Sequence, residues 1–331
     1  MKSFWGACAA AALLWAPIPA AFAAAGSPDL PKYDHIVVVI GENKDFTQII
    51  GNPTAPYLNK LAAQGVVLTR MFAEEHNSQG NYFWLFSGSN QNVGFDDKVP
   101  KVKFTAGNLG AALIARGLSF KGYSQSLPAI GSAVVALPEG CVYPCLYGRK
   151  HVPWISFANV PNGTTADTSS NLRFADFPSD YTKLPTVAFV VPDLDHDMHN
   201  GAPKDSIPAG DQWLRQNLDA YYQWAKTHNS LLIVTFDEND DKGGYKGLTD
   251  PAVDPGHDRA RLDRQNRIAT VIAGADVKPG YRDAEPLTHV NLLRTIEAMY
   301  GLAKSGAQQP NALRAGIADN AVAAGAFTPA R

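Results

Sequence analysis

Three apolar runs of β type in this chain each stop on acidic residues: HIVVVIGEN at 35–43, VAFVVPDLDHDMH at 187–199 and LLIVTFDEND at 231–240. Runs of Val, Ile, Leu and Phe without polar alternation predict strands buried on both faces, the pattern of a parallel sheet covered by helices. The acids then stand at the carboxyl ends of strands, where open α/β sheets bind their ligands. Glu42, Asp193, Asp195, Asp197, His199, Asp237 and Glu238 are gathered there. So many like charges repel one another and lose solvation unless a cation neutralises them, so the pattern points to a metal site.

Helix and strand patterns alternate along the rest of the chain. Strands are predicted at 36–40, 66–71, 119–123, 187–191, 231–236 and 268–273. Helices are predicted at 55–64 before Gly65, 78–87, 109–116 before Gly117, 211–228 and 290–299. This alternation predicts an α/β fold, a three-layer α/β/α sandwich around a mostly parallel central sheet. With 331 residues, 45% of them hydrophobic, the chain suits one large domain. Residues 126–180, rich in Pro, Gly, Asn and Thr, read as a long insertion over the active edge, and residues 240–266 as a second, charged loop. The Ala- and Gly-rich tail at 303–331 reads as weakly packed.

Residues 1–25 combine Lys2, an apolar stretch broken by Pro17 and Pro19, and an alanine-rich end. That is the pattern of a secretory signal peptide, and the stretch is too short and too proline-broken for a membrane span. The remaining chain, 26–331, is expected to be a single secreted or periplasmic domain without stable membrane insertion. Removing the leader moves the formal charge from −2 to −3, because Lys2 is its one charge, and argues against a nucleic-acid partner. Cys8 leaves with the leader; Cys141 and Cys145 form an even pair expected to close a small disulfide loop.

Carboxylates joined by one or two imidazoles suit Zn²⁺, Mn²⁺, Mg²⁺ or Ca²⁺, and the mixture alone does not choose among these divalent metal ions. Asp195 and His199 can converge from one short loop. His289, beside Thr288 at the start of the last helix, is a third candidate ligand from the same sheet edge. Asp193 and Asp197 are weaker candidates, since one loop cannot turn all its acids to the same ion. The best nucleophile is Ser78 in HNSQGN at 76–81. At a helix N-terminus it meets N–H donors and a positive dipole end that favour a phosphate oxyanion, although a plain capping serine has the same sequence appearance. A metal on its Oγ would lower the hydroxyl pKa towards an alkoxide near neutral pH.

Several runs, in this order, resemble a known family: HIVVVIGENKDFTQIIG, APYLNKLAAQG, EEHNSQGNYFWLFSGS, YGRKHVPW, DLDHDMHNG, GDQWLRQNL, NSLLIVTFDEND and THVNLLRTIEAMYGL. They are similar to the secreted phosphoesterases, which include bacterial acid phosphatases and the non-haemolytic type of phospholipase C, a distant branch of the alkaline phosphatase superfamily. The resemblance implies an alkaline-phosphatase-like fold. It casts Ser78 as nucleophile, Asn81 as a phosphate contact, and Glu42 and Asn43 as metal ligands or phosphate-orienting groups. It further casts Asp237 and Glu238 as metal ligands, and Arg149, Lys150 and His151 as a phosphate clamp. Asp195, His199 and His289 occupy places similar to those that bind a second metal in the wider superfamily. The chain departs from the family pattern at Lys44, where many relatives carry His, and at Asn77, Gly80 and Arg267. The expected activity is a metal-dependent phosphomonoesterase of acid-phosphatase type, acting on a small phosphorylated substrate through a phosphoserine. A phospholipase C-type phosphodiesterase is the rival; the lack of an amphipathic membrane helix and of a long lipid-targeting extension disfavours it.

Overall fold

The computed structural model describes residue 1 and residues 30–94, 100, 103–141, 145–240 and 265–328. The expected leader, apart from residue 1, and most of the charged loop at 240–266 lie outside the described residues.

The core is a nine-stranded sheet. Its strands are β1 (His35–Gly41), β2 (Val66–Phe72), β3 (Phe120–Ser124), β6 (Asn171–Arg173), β7 (Val187–Val191), β8 (Ser230–Phe236), β9 (Arg267–Gly274), β10 (Tyr281–Asp283) and β11 (Leu287–Thr288). They run in the order β10-β2-β9-β8-β1-β7-β3-β6, with β11 also on β2. Only β9 opposes its neighbours; β1 pairs in parallel with both β7 and β8. The three apolar runs are therefore adjacent central strands, and Glu42, the Asp193–Asp197 turn and the Asp237–Glu238 pair emerge side by side at one edge. All residues of β7 and β8 are buried, which explains their unbroken apolar sequence.

Helices cover both faces. One group is α2 (Pro56–Gln64) against α5 (Pro203–Ala225), the other α3 (Ser78–Ser87) against α4 (Leu109–Ala115) and α6 (His289–Met299). The short helices α1 (Phe46–Ile49) and α7 (Pro310–Arg314) are the other α-helices among the described residues. This is a three-layer α/β/α sandwich. Under α3 lies an aromatic cluster of Phe86, Phe120, Trp154, Phe157 and Phe189. A Cβ on Gly122 would stand 2.1 Å from the Trp154 ring, so β3 needs glycine there for the indole to lie against it.

Three expectations change. Helix α5 starts at Pro203, not 211, and runs through Pro208. Proline at the first helical position is favourable, and the buried residues beyond Pro208 hold the helix despite the hydrogen bond that Pro208 cannot make. The tail packs rather than frays, burying Ala312, Ile317, Ala323, Ala326 and Phe327. Segment 126–180 has a framework of its own, with a small hairpin of β4 (Ala136–Leu137) and β5 (Tyr147–Gly148), a Cys141–Cys145 disulfide, and β6 joined to β3.

Candidate active site

The site begins where β1 ends. A Cβ on Gly41 would meet the Phe236 ring at 2.7 Å, so glycine allows β1 and β8 to end side by side. Glu42 then lies fully buried beside Asp237 and Glu238, also buried. Three non-glycine residues around these turns have left-handed backbone: Asn43 (φ 49°), Asn77 (φ 143°) and Met198 (φ 82°). Such strain persists only where surrounding contacts enforce it.

Ser78 is the first helical residue of α3, and Asn77 rather than Ser78 holds the capping position. The Asn77 N–H donates to Glu238 Oε2 at 2.8 Å, which joins the helix start to the β8 turn. The Ser78 hydroxyl faces Glu42 Oε2 at 3.0 Å, Glu238 Oε1 at 3.2 Å and Asn43 Oδ1 at 3.3 Å. Turned by half a rotation, the Asn43 amide instead donates to Glu42 Oε2 at 2.8 Å and to Asp237 at 3.2 Å. The backbone N–H of Asn43 donates to Asp237 Oδ1 at 3.0 Å. Asn81, one turn on from Ser78, donates to the Glu75 carbonyl at 2.7 Å and to Glu238 Oε2 at 3.3 Å. The side chains around the hydroxyl are thus oxygen-rich, drawn from β1, α3 and β8.

The other oxygen of Glu42 meets a second group. His151 Nε2 is 3.1 Å from Glu42 Oε1, and His151 Nδ1 is 4.0 Å from Asp197 Oδ2. Neither ring nitrogen nor Asp197 Oδ2 makes a hydrogen bond among the described residues, although all three atoms are buried. One ligand atom from each of Glu42, His151 and Asp197 lies within 4.8 Å of the other two, close to twice the ~2.1 Å reach of a bound divalent cation. Burial pushes the His151 imidazole well below its ordinary pKa, helped by Lys150 and His199, so it is the neutral, ligating form. Burial pushes the Asp197 carboxyl well up, with Asp237 and Asp193 adding to the shift; burial and then Glu42 push Asp237 up as well. Acids so placed hold protons unless a cation takes their place, and the cluster has the ligand types and spacing to hold a metal ion.

Asp195 and His289 take other partners, while His199 stays beside the cluster, near enough for its charge to act on His151. Asp195 is exposed and accepts from Asn200 Nδ2 at 2.7 Å. His289 is buried, with Nδ1 2.7 Å from Glu74 Oε2 and Nε2 2.8 Å from the Phe236 carbonyl, so both ring nitrogens are engaged. His199 is half-buried, its N–H on Asp197 Oδ1 at 2.8 Å. Arg149 directs its guanidinium to the carbonyls of Ala133 and Pro100, and Lys150 is half-buried next to it. Of that basic stretch, His151 joins Glu42 and Asp197 in the acidic cluster. Asp193 accepts from Ser126 Oγ and pairs with His196 Nδ1, both at 2.7 Å.

Several partners in the site carry only a weak signal in local sequence. Asp197 was one acid among many in its loop. Tyr82 stacks on His151 with centroids 4.8 Å apart, yet its sequence reads as one of five core residues in a row. Glu74 pairs with a residue 215 positions away. Only the length-independent proximity created by the fold reveals such partners.

Comparison with known proteins identifies the family of the chain. Residues 52–303 match the model of the Phosphoesterase family. The chain is 40% identical over 279 residues to a phosphatidylinositol-3-phosphatase of Mycobacterium tuberculosis, covering 84% of this chain and 80% of that protein. It is 25% identical over 257 residues to an acid phosphatase of Aspergillus fumigatus, covering 74% of this chain but about half, 51%, of that longer protein. In fold it is similar to a protein in the alkaline phosphatase superfamily from Vibrio parahaemolyticus, with a TM-score of 0.52 and 13% identity over 84% of this chain and 69% of that one. The chain belongs to the Phosphoesterase family and is a hydrolase acting on phosphoric ester bonds.

Proposed function

We propose that this hydrolase is a secreted, metal-dependent phosphomonoesterase of acid-phosphatase type that works through a phosphoserine on Ser78. The observation that carries the reading is the Ser78 hydroxyl at the start of α3, faced by Glu42 and Glu238 oxygens at 3.0 and 3.2 Å.

Glu42, Asn43, Asp237 and Glu238 would hold a divalent cation beside the hydroxyl, with His151 and Asp197 as further ligands on the far oxygen of Glu42. Such an ion lowers the pKa of a serine hydroxyl and offsets phosphate charge. The remaining chemistry belongs to the chain. Ser78 passes its proton to a facing carboxylate, and Oγ forms a bond to phosphorus while the bond to the leaving alcohol oxygen breaks. The N-terminal dipole of α3 faces the phosphoryl oxygens as charge shifts onto them, while Asn81, expected as a phosphate contact, has its amide held by Glu75 and orients Glu238 instead. Water then attacks the phosphoserine, frees inorganic phosphate and restores the hydroxyl.

The Mycobacterium relative is named for removing a phosphate monoester from a lipid headgroup, which favours a monoesterase over a phospholipase C-type diesterase. It also brings phosphoinositide monoesters into the substrate class, beside small soluble ones. The Cys141–Cys145 disulfide supports an oxidising compartment, hence secretion or the periplasm. No helix among the described residues is long and apolar enough to cross a membrane.

The test compares p-nitrophenyl phosphate, bis(p-nitrophenyl) phosphate and micellar phosphatidylinositol 3-phosphate, before and after chelation and metal return. Monoester turnover should dominate, fall on chelation and recover with metal. Faster diester turnover, or full activity in chelator, would refute the reading.

A further inference from the structure

Lys44, in the turn after β1, points inward, 4% exposed. Its ammonium donates to the carbonyls of Met198 at 2.7 Å, Asn43 at 3.1 Å and Glu42 at 3.5 Å. Three N–H donors meet three carbonyl oxygens. This is how a protein cradles a small monovalent cation, except that here the cation is on a tether. Two of the carbonyls belong to Asn43 and Met198, both with positive φ. Their backbone conformation is unfavourable in isolation and turns their carbonyls towards one point.

The cradle joins two turns. Glu42 and Asn43 lie on one, and Met198, directly after Asp197, lies on the other. The only further backbone link described between them is the Glu42 N–H to the Asp197 carbonyl at 2.7 Å. These turns carry two of the three residues of the buried Glu42, His151 and Asp197 cluster.

We propose that Lys44 is a positioning residue, a tethered cation that clamps the Glu42–Asn43 turn to the Asp197–Met198 turn and so sets the spacing at which the cluster binds a divalent cation. The proposal rests on the reading of that cluster as a metal site. A bare point charge at the same place would act in the opposite sense, since a nearby ammonium repels a divalent ion. The two roles are therefore separable by the sign of a single measurement.

The experiment is Mn²⁺ binding by equilibrium dialysis on the full chain, for the wild type, Lys44→Ala and Lys44→Met, with thermal melts to confirm folding. The alanine variant should bind Mn²⁺ at least tenfold more weakly. Ethylammonium, which fits the vacated stem and cradle, should restore most of that loss, while sodium at equal ionic strength should not. Lys44→Met keeps the stem without the charge, so it should be equally weak and beyond rescue; it also serves if the alanine variant does not fold. Unchanged or tighter binding in the methionine variant, or weak binding in a folded alanine variant that ethylammonium leaves unaltered, would overturn the clamp. Failure of the wild type to retain Mn²⁺ would remove the metal reading itself, and the clamp with it.

Discussion

The Ser78 hydroxyl donates to Glu42 Oε2 across 3.0 Å, although 36 positions separate the two residues. Glu42 reaches His151 with its other oxygen, at 3.1 Å. One carboxylate thus joins the helix start that carries the hydroxyl to the imidazole of the neighbouring cluster, and the site behaves as a connected unit.

Ser78→Ala should lower monoester turnover by about three orders of magnitude or more, the scale of losing a covalent nucleophile. The fold should survive, because a lost hydroxyl hydrogen bond costs about 1 kcal/mol, a few degrees in a chain of this size. Turnover on p-nitrophenyl phosphate read beside a thermal melt checks both parts. A variant that melts normally and retains activity would end the nucleophile reading.

Glu42→Gln and His151→Gln should each release bound metal, by roughly 10–100-fold in affinity or more. Metal content after dialysis, measured by mass spectrometry, gives the result. Equal metal content in both variants and the wild type would show that the cluster is structural.

His289→Gln separates a ligand role from a structural one. The ring bridges Glu74 and the Phe236 carbonyl in a buried setting, so its loss leaves one Glu74 oxygen and that carbonyl without this partner, while Val290 N–H still serves the other Glu74 oxygen, at a cost of about 1–3 kcal/mol. The melting point should fall by several degrees while metal content per folded molecule stays constant. A loss of metal without a loss of stability would return His289 to the ligand set.

Asp319 gives a pH dependence with a definite sign. Burial alone would raise its carboxyl, but hydrogen bonds from Arg294 and Lys304, both at 2.9 Å, outweigh it and hold the group below the usual carboxylate range. A group that binds its proton less tightly when folded contributes in full above the ordinary carboxylate range, and that contribution vanishes as pH falls through the lowered value. Asp319→Asn should therefore melt below the wild type at neutral pH, with the gap narrowing in acid. Melting curves that stay parallel across the acid range would refute this.

Gly122→Ala tests the packing under α3. The added methyl would meet the Trp154 ring at 2.1 Å, and the indole is also held by its bond to Asn171 Oδ1 at 3.1 Å. Overpacking of this kind costs about 1–3 kcal/mol. A denaturant midpoint equal to that of the wild type would show that the ring moves aside freely.

Much of the framework could be read from local pattern. The unbroken apolar runs at β1, β7 and β8 announced central parallel strands, because only strands buried on both faces afford such sequences. Gly65 after α2, and the start of α3 at Ser78, were visible from local chemistry as well. Misreadings came where tertiary contacts overrule local preference. The helix expected from 211 begins instead at Pro203, because packing carries it through Pro208. The small residues of the tail looked uncommitted, yet the Ala323 N–H binds Thr295 Oγ1 at 3.0 Å and the chain beyond packs down.

For the site, sequence by itself determined that acids would crowd the carboxyl edge of the sheet and that Ser78 would stand at a helix start, since both follow from short-range periodicity and turn chemistry. Which acids face which partner was decided only by the tertiary structure. Asp197 rather than Asp195 turns inward, His151 arrives from a distant segment, and His289 is taken by Glu74. The physical reason is that a side chain's direction in a loop depends on backbone torsions such as the positive φ of Met198, which are fixed by contacts with remote strands and not by the residues on either side.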